Sequence, residues 1–173
     1  MRFWFAFVFA CLVPVPAIAV GQGEADLSLG AGLAFEFQGD GRAGAEAEFR
    51  LLRGLSDAWS ARLGLQAAVI PSSHGRKTAT LLSQAAGVTW AVDAVNWVPF
   101  LDLGVAVADV RGGGYGASQR LGGQAGLGVD YLVARHAAIS FLGRVDYFPF
   151  RLAGADQPRT TQISFVLHLG RTF

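Results

Sequence analysis

The chain has 173 residues and a formal net charge of +1, with 14 lysine and arginine residues against 13 aspartate and glutamate residues. This length suits one domain, and the balanced charge lacks the basic excess of a typical nucleic-acid-binding protein. The composition is 52% hydrophobic with 23 glycines, which argues against an ordinary water-facing surface. The only cysteine, Cys11, excludes a disulfide framework within the chain and a cysteine metal site.

The first segment of the chain has the pattern of an export signal. Residues 3–20 form an apolar run that is long enough to cross a membrane as a helix. Two prolines interrupt the run, however, and Ala17 and Ala19 supply the small residues that a signal peptidase requires. We therefore predict a cleaved signal peptide at 1–19, followed by a single domain at 20–173.

After the predicted signal, hydrophobic residues alternate with polar or small residues in eight segments, and no helical period persists. In the second segment, Glu46, Glu48 and Arg50 alternate with apolar residues. In the fourth segment, Gln84 breaks an otherwise apolar face. Such alternation predicts β-strands with two unlike faces. The predicted strands cover residues 26–38, the region around 45–50, 59–70, 80–92, 97–108, 123–133, 137–149 and 160–173.

The connections between these strands alternate in length. The short ones are 53–58, 93–96 and 134–136, and the longer ones are 71–79, 109–122 and 151–159, with 39–41 as the exception. Short turns on one side and longer loops on the other are typical of outer-membrane barrels. The pattern predicts an all-β fold, an eight-stranded antiparallel up-and-down barrel with its longer loops outside the cell.

Volume decides which face of each strand points inward. The interior of an eight-stranded barrel is just wide enough for side chains to fill it, so the bulky apolar faces of eight strands do not fit there. The glycine-rich polar faces do fit. Aromatic residues also cluster toward both strand ends, as expected for the two girdles of a membrane barrel. We therefore predict a transmembrane barrel with an apolar outer face and a polar lumen.

The export signal, the eight alternating strands and the terminal segment "FVLHLGRTF" together resemble the small OmpA/OmpX-like outer-membrane barrels of Gram-negative bacteria. The resemblance covers the whole predicted mature chain and implies outer-membrane lipid and lipopolysaccharide as its neighbours. Leu167, Leu169 and Phe173 resemble the signal by which the outer-membrane assembly machinery recognises its substrates. The family includes adhesins, structural proteins and enzymes, so the resemblance alone does not assign a role.

Most charged residues of the predicted strands fall on the inward face. They are Asp26, Glu36, Glu46, Glu48, Arg50, Arg62, Asp102, Asp130, Arg144, Asp146 and His168. Because buried charges must be paired or hydrogen-bonded, we expect an ion network that fills an acidic lumen, with a narrow cation path as the alternative. Within this network we expect Arg62 to pair with Glu48 on the neighbouring strand.

The sequence offers little support for catalysis. A lipid A deacylase would need a His-x-Ser pair along one strand, and His74, His136 and His168 each lack a serine two positions later. The glycine-rich stretch at 112–116 lacks the strand-to-helix context of a phosphate-binding loop, so we expect a flexible surface loop. We therefore predict no catalytic residue, no metal site and no cofactor.

A second set of charges falls in or beside the predicted outer loops. It comprises Arg42, Arg76, Lys77, Arg111, Arg120, Arg151 and Arg159. Arginine pairs well with phosphate, so this rim is expected to face lipopolysaccharide, although a lysine-poor composition would also give arginine-rich loops. The favoured function is a structural or surface-interaction role, adhesin-like and lipopolysaccharide-contacting. The alternatives are a lipid A-modifying enzyme and a small-solute or ion channel, and no oligomeric state is predicted.

Overall fold

A closed eight-stranded barrel forms the whole of the described structure, which confirms the fold predicted from the sequence. The structure, a computed structural model, describes residues 23–37, 41–72, 77–92, 97–112, 115–134, 136–154 and 160–173. Consecutive strands pair antiparallel, and the first strand closes the barrel by pairing with the last. The strands are β1 (Ala25–Glu36), β2 (Arg42–Gly54), β3 (Trp59–Ile70), β4 (Ala79–Ala91), β5 (Trp97–Gly112), β6 (Tyr115–Ala134), β7 (Ala137–Gly154) and β8 (Thr160–Thr172).

The predicted export signal at 1–19 lies outside the described residues. Within the ranges that the structure describes, no helix is long and apolar enough to cross a membrane. We call the end of the barrel that carries the β2–β3, β4–β5 and β6–β7 connections the turn end, and the opposite end the loop end. Residue 173 lies at the turn end, where its backbone pairs with that of Ala25.

Most bulky apolar side chains point out of the barrel and most polar side chains point in, as predicted. On β1, Leu29 and Leu33 are 61% and 56% exposed, whereas Ser28 is fully buried. At the turn end, Trp97 and Tyr131 project outward from paired positions, and their ring centroids lie 4.7 Å apart. This outward apolar belt is the surface that a transmembrane barrel presents to lipid, and closure of the sheet leaves no unpaired strand edge.

Three strands are longer than the sequence predicted. β5, β6 and β7 contain 16, 20 and 18 residues, whereas the other five contain 12 or 13. The prediction of a loop at 109–122 was therefore wrong, because β5 runs to Gly112 and β6 starts at Tyr115. Near the loop end the outward positions become polar, as at Asp109, Arg111 and Gln119, so the hydrophobic alternation stops before the backbone pairing does.

The inside of the barrel is divided into an apolar part and a charged part. The apolar part lies toward the loop end and consists of Ala34, Ala68, Leu81, Ala85, Ala106, Ala108, Val110 and Phe148. Most of the charged part lies between it and the turn end, and the buried Glu36, Arg42 and Arg120 lie near the loop end. The sequence did not predict a bulky inward residue such as Phe148, but strand parity explains it, since Phe148 follows the inward Asp146 by two positions.

Candidate functional site

The most tightly paired group in the interior is centred on Arg144 of β7. We define the Arg144 cluster as Arg144, Glu46, Glu48, Asp146 and His168. Arg144 Nη1 lies 2.6 Å from Glu48 Oε2, Arg144 Nε lies 3.0 Å from Asp146 Oδ2, and Arg144 Nη2 donates to Glu46. Each guanidinium nitrogen therefore faces a different carboxylate. The arrangement follows from strand parity, which puts Glu46 and Glu48 on one inward face and Arg144 and Asp146 on another.

Side chains of β8 complete the Arg144 cluster. Gln162 Nε2 donates to Glu46 Oε2 at 3.0 Å, and Ser164 Oγ donates to the same oxygen at 2.5 Å. His168 is fully buried, with Nε2 3.4 Å from Glu48 Oε2. Bonds to an ionised acceptor are among the strongest hydrogen bonds in proteins, so Gln162 and Ser164 lower the cost of burying the Glu46 carboxylate. The sequence analysis did not single out Gln162, although it precedes the inward Ser164 by two positions.

A second charged group lies nearer the turn end. We define the Asp102 cluster as Asp102, Arg50, Arg62 and Asp130. Arg50 Nη1 and Arg62 Nε lie 3.7 and 3.8 Å from Asp102 Oδ2, and Arg50 Nη2 lies 3.8 Å from Asp130 Oδ1. Thr89 Oγ1 donates to Asp102 Oδ1 at 2.5 Å. These N···O separations are longer than a normal hydrogen bond, so the charges attract one another without being hydrogen-bonded.

The predicted pairing of Arg62 with Glu48 was wrong. Arg62 faces Asp102, and its Nη2 donates to Gln124 Oε1 at 2.9 Å. Glu48 is instead occupied by Arg144 and His168. The sequence could not separate these options, because every inward residue of a narrow barrel can reach across the lumen as well as to the next strand.

The remaining interior residues of the predicted network lie near the two ends. At the turn end, Asp26 is half-buried and accepts a hydrogen bond from Thr172 Oγ1 at 3.3 Å. At the loop end, Glu36 forms a buried ion pair with Arg42. The structure therefore brings the predicted lumen residues into the interior as two clusters and these two peripheral sites.

Two arginines that the sequence assigned to the outer rim are buried in the barrel. Arg42 is 6% exposed and donates through Nη1 to the Lys77 carbonyl at 3.1 Å. Arg120 is 2% exposed and donates through Nη1 to the Phe148 carbonyl at 3.2 Å. Strands β2 and β6 extend over these positions, and alternation turns both side chains inward. Their charges make the interior less acidic than the sequence predicted.

Three of the predicted rim residues are exposed at the loop end, namely Lys77, Arg111 and Arg151. The Arg111 side chain is 58% exposed and forms an ion pair with Asp109, with Nη2 2.8 Å from Oδ2. Arg76 and Arg159 lie outside the described residues. We call Lys77, Arg111 and Arg151 the exposed basic rim.

The predicted assembly signal lies on the outer face of β8 and at the end of the chain. Leu167, Leu169 and Phe173 are 55%, 65% and 38% exposed. The guanidinium carbon of Arg171 lies 5.2 Å from the centroid of the Phe173 ring, within the range of a cation–π contact. These three side chains are therefore accessible to a partner, and recognition by the assembly machinery stays a prediction.

The histidines that the sequence analysis considered do not form a catalytic group among the described residues. His168 is enclosed in the Arg144 cluster, His136 is exposed at the turn end, and His74 is not described. No group of three His, Cys, Asp or Glu side chains in the described ranges is placed to hold a metal ion.

Comparison with known proteins bears on the fold. No family model and no curated protein sequence matches the chain. Among solved structures, Neisserial surface protein A matches with a TM-score of 0.73 and 13% identity, over 88% of this chain and 100% of that one. The N-terminal β-barrel domain of Pseudomonas aeruginosa OprF matches with a TM-score of 0.58 and 15% identity, over 88% and 99%. The outer membrane enzyme PagL matches with a TM-score of 0.55 and 18% identity, over 84% and 97%.

Proposed function

We propose that this chain, which has the fold of the small eight-stranded outer-membrane barrels, lies in the bacterial outer membrane and has a structural or surface-interaction role there. The observation that carries the proposal is the distribution of charge. The belt around the barrel is apolar, most charged strand residues are inside, and the exposed basic rim lies at the loop end. A barrel inserted with its loop end outward would place that rim beside lipopolysaccharide phosphates.

The chemistry of the rim suits phosphate. Arg111 and Arg151 carry guanidinium groups that can donate two parallel hydrogen bonds to one phosphate, and Lys77 adds a compact charge. Arg111 must share its contacts with Asp109, and Arg151 also has a partner in the structure, so we propose that binding depends on the summed field of several cations. Such a field weakens as salt shortens the Debye length from about 10 Å at 0.1 M to about 3 Å at 1 M.

The orientation of the barrel is part of the proposal. The turn end would face the periplasm, where the outer-membrane assembly machinery would recognise Leu167, Leu169 and Phe173. Cysteines introduced at Ala153 and Leu55 test this, because both positions are exposed, at the loop end and at the β2–β3 turn respectively. An impermeant thiol reagent should label intact cells carrying Ala153→Cys and spare those carrying Leu55→Cys. The opposite labelling pattern would reverse the orientation.

Lipopolysaccharide contact is tested by replacing Lys77, Arg111 and Arg151 with glutamine. The triple variant should co-purify with several-fold less lipopolysaccharide than the parent, and retention by the parent should fall with ionic strength. Arg53→Gln combined with Arg171→Gln is the matched control, because these arginines are also exposed but lie at the turn end. Heat-modifiable migration on a gel would show that each variant folds. Equal retention in the triple variant and the parent would contradict the proposed contact.

The two alternative functions have weaker support in the described residues. An ion path would have to pass the apolar group around Phe148 as well as both charged clusters, all of which fill the interior. A lipid A-modifying enzyme would need reacting groups on the lipid-facing side, whereas His168 points into the barrel. Hydrolysis or acyl transfer on purified lipopolysaccharide that is lost in the His74 or His168 variant would favour the enzyme instead.

A further inference from the structure

The outer face of β4 carries one residue that does not suit its position. Gln84 points away from the interior, between Leu82, which is 55% exposed, and Ala86 on the same face. Its paired neighbours on the adjacent strands are Leu65 and Val107. No hydrogen-bond partner for the Gln84 amide lies among the described residues. The apolar belt of the barrel therefore contains an unpaired amide.

The depth of Gln84 makes this exception costly. Trp90, at the turn-end girdle, lies six positions along β4 from Gln84, which corresponds to about 16 Å across the membrane for a tilted strand. Thr80, paired with the charged Arg111, lies four positions away in the other direction, or about 10 Å. Together these distances span the roughly 25 Å apolar band of a membrane barrel, so Gln84 lies well inside it. Lipid tails cannot hydrogen-bond an amide there.

The surface around Gln84 is also concave. Gln84 and Ala86 line a depression of about 260 Å³, together with Leu63, Leu65, Val105 and Val107. Apart from the amide, the lining is almost entirely apolar. An apolar, concave surface with one amide can bind an apolar partner that also carries a hydrogen-bond donor and a hydrogen-bond acceptor.

We propose that this depression is the contact surface of a homodimer in which Gln84 of one chain hydrogen-bonds Gln84 of a second copy. A primary amide has both a donor and an acceptor, so two of them can form two reciprocal hydrogen bonds. Both copies insert in the same direction, which places the two Gln84 side chains at the same depth. A two-fold axis along the membrane normal then brings them together in a self-complementary interface. The inference does not depend on the proposed contact with lipopolysaccharide.

The amide is tested by energy transfer between donor- and acceptor-labelled chains in phospholipid vesicles, measured over a range of protein-to-lipid ratios. The parent should associate, Gln84→Leu should weaken association by about tenfold, and Gln84→Asn should retain most of it because it keeps both hydrogen-bonding groups. A parent that shows no transfer at any ratio would overturn the proposal. So would a Gln84→Leu variant that associates as well as the parent.

The shape of the surface is tested separately. Ala86→Phe places a bulky ring in the depression while keeping the Gln84 side chain, and should also weaken association. Ala31→Phe is the matched control, because Ala31 is an outward alanine on β1, three strands away from β4. Since Ala86→Phe leaves Gln84 in place, it tests the interface even where Gln84→Leu does not fold. Equal association in both phenylalanine variants would place the contact elsewhere and overturn the proposal.

Disulfide cross-linking tests where the two-fold axis of the proposed homodimer lies. The only cysteine in the sequence, Cys11, lies in the predicted signal, so an introduced cysteine would be alone in the mature chain. Leu82→Cys, beside Gln84, should form a disulfide dimer in membranes treated with a mild oxidant. Leu127→Cys on β6 is the control and should stay monomeric. Leu127 is also exposed, at 69% against 55% for Leu82. Equal cross-linking at both sites would indicate random collision and contradict the proposed interface.

Discussion

The two charged clusters inside the barrel differ in how closely their charges are paired. In the Arg144 cluster one guanidinium serves three carboxylates, with N···O separations of 3.0 Å or less. In the Asp102 cluster two guanidiniums and two carboxylates lie 3.7 to 3.8 Å apart. Buried atoms without a hydrogen-bond partner occur in both clusters, such as Asp102 Oδ2 here and Asp146 Oδ1 in the Arg144 cluster. The charges are thus paired more closely in the Arg144 cluster than in the Asp102 cluster.

The two clusters also differ in the number of strands that contribute to them, which is three for the Arg144 cluster and four for the Asp102 cluster. The Arg144 cluster draws two of its acids from alternate positions of β2, and Asp146 lies two positions from Arg144 on the same strand. Only the Arg144–Asp146 pair lies within one strand, because Glu46 and Glu48 reach Arg144 from β2 across the lumen. The four members of the Asp102 cluster come from four strands, β2, β3, β5 and β6, so their distances depend on the whole barrel cross-section. We infer that the Arg144 cluster contributes more to stability.

Replacing Arg144 should have the largest effect. Arg144→Met removes the arginine that pairs with Glu46, Glu48 and Asp146. Leaving buried carboxylates uncompensated should lower the free energy of unfolding by about 3–5 kcal/mol. Urea unfolding in lipid vesicles measures this change, with the exposed Arg53→Met at the turn end as the control. Equal losses in the two variants would show that the cluster is not a stabilising centre.

Packing should be tighter beside His168 of the Arg144 cluster than in the space between the two clusters. A Cβ at Gly30 would overlap the His168 ring of the Arg144 cluster, whereas a Cβ at Gly64 would lie 3.8 Å from both Arg62 Nη1 and Glu48 Oε1, between the two clusters. Gly30→Ala should therefore destabilise the barrel by about 1–3 kcal/mol, and Gly64→Ala should have little effect. The same urea titration compares them. Similar effects of the two substitutions would mean that the sites at Gly30 and Gly64 are packed equally tightly.

The longer separations of the Asp102 cluster predict a weaker coupling. A double-mutant cycle with Arg62→Gln and Asp102→Asn should give an interaction energy of about 1 kcal/mol in unfolding experiments. The corresponding cycle with Arg62→Gln and Glu48→Gln should give a value smaller than this. A larger energy for Arg62 and Glu48 would restore the pairing that the sequence suggested and the structure does not show.

The exposed pair of Asp109 and Arg111 should matter least for stability. Its atoms lie 2.8 Å apart, closer than any pair in the Asp102 cluster, yet water and salt screen both charges. Asp109→Asn should leave the unfolding midpoint unchanged while freeing Arg111 for phosphate, so lipopolysaccharide retention should rise. A clear fall in the midpoint would show that distance outweighs burial in this barrel.

The sequence predicted the barrel well because period-two alternation is strong wherever one face meets lipid. It failed at 109–122, where the strands continue beyond the apolar band and Asp109 and Arg111 face outward. The same limit explains the error in the predicted outer rim. Arg120 was assigned to a loop, whereas it lies inside the barrel.

Strand parity also predicted which charges are internal, but not how they pair. Glu48 contacts residues of β7 and β8 rather than Arg62 of the adjacent strand. Pairing across a lumen depends on barrel shear and side-chain reach, which one sequence does not encode as a local pattern. Gln84 shows the opposite case, because its break in the apolar alternation is visible in the sequence and in the structure alike.

The central claim is that the interior is a filled, ion-paired core and that the loop end is the surface for interactions. Conductance across a planar lipid bilayer tests it most directly. With both clusters intact and the apolar group around Phe148 in place, the purified parent protein should give no steady ion current at moderate voltage. A steady, voltage-sustained current from the parent would contradict the account and favour the channel.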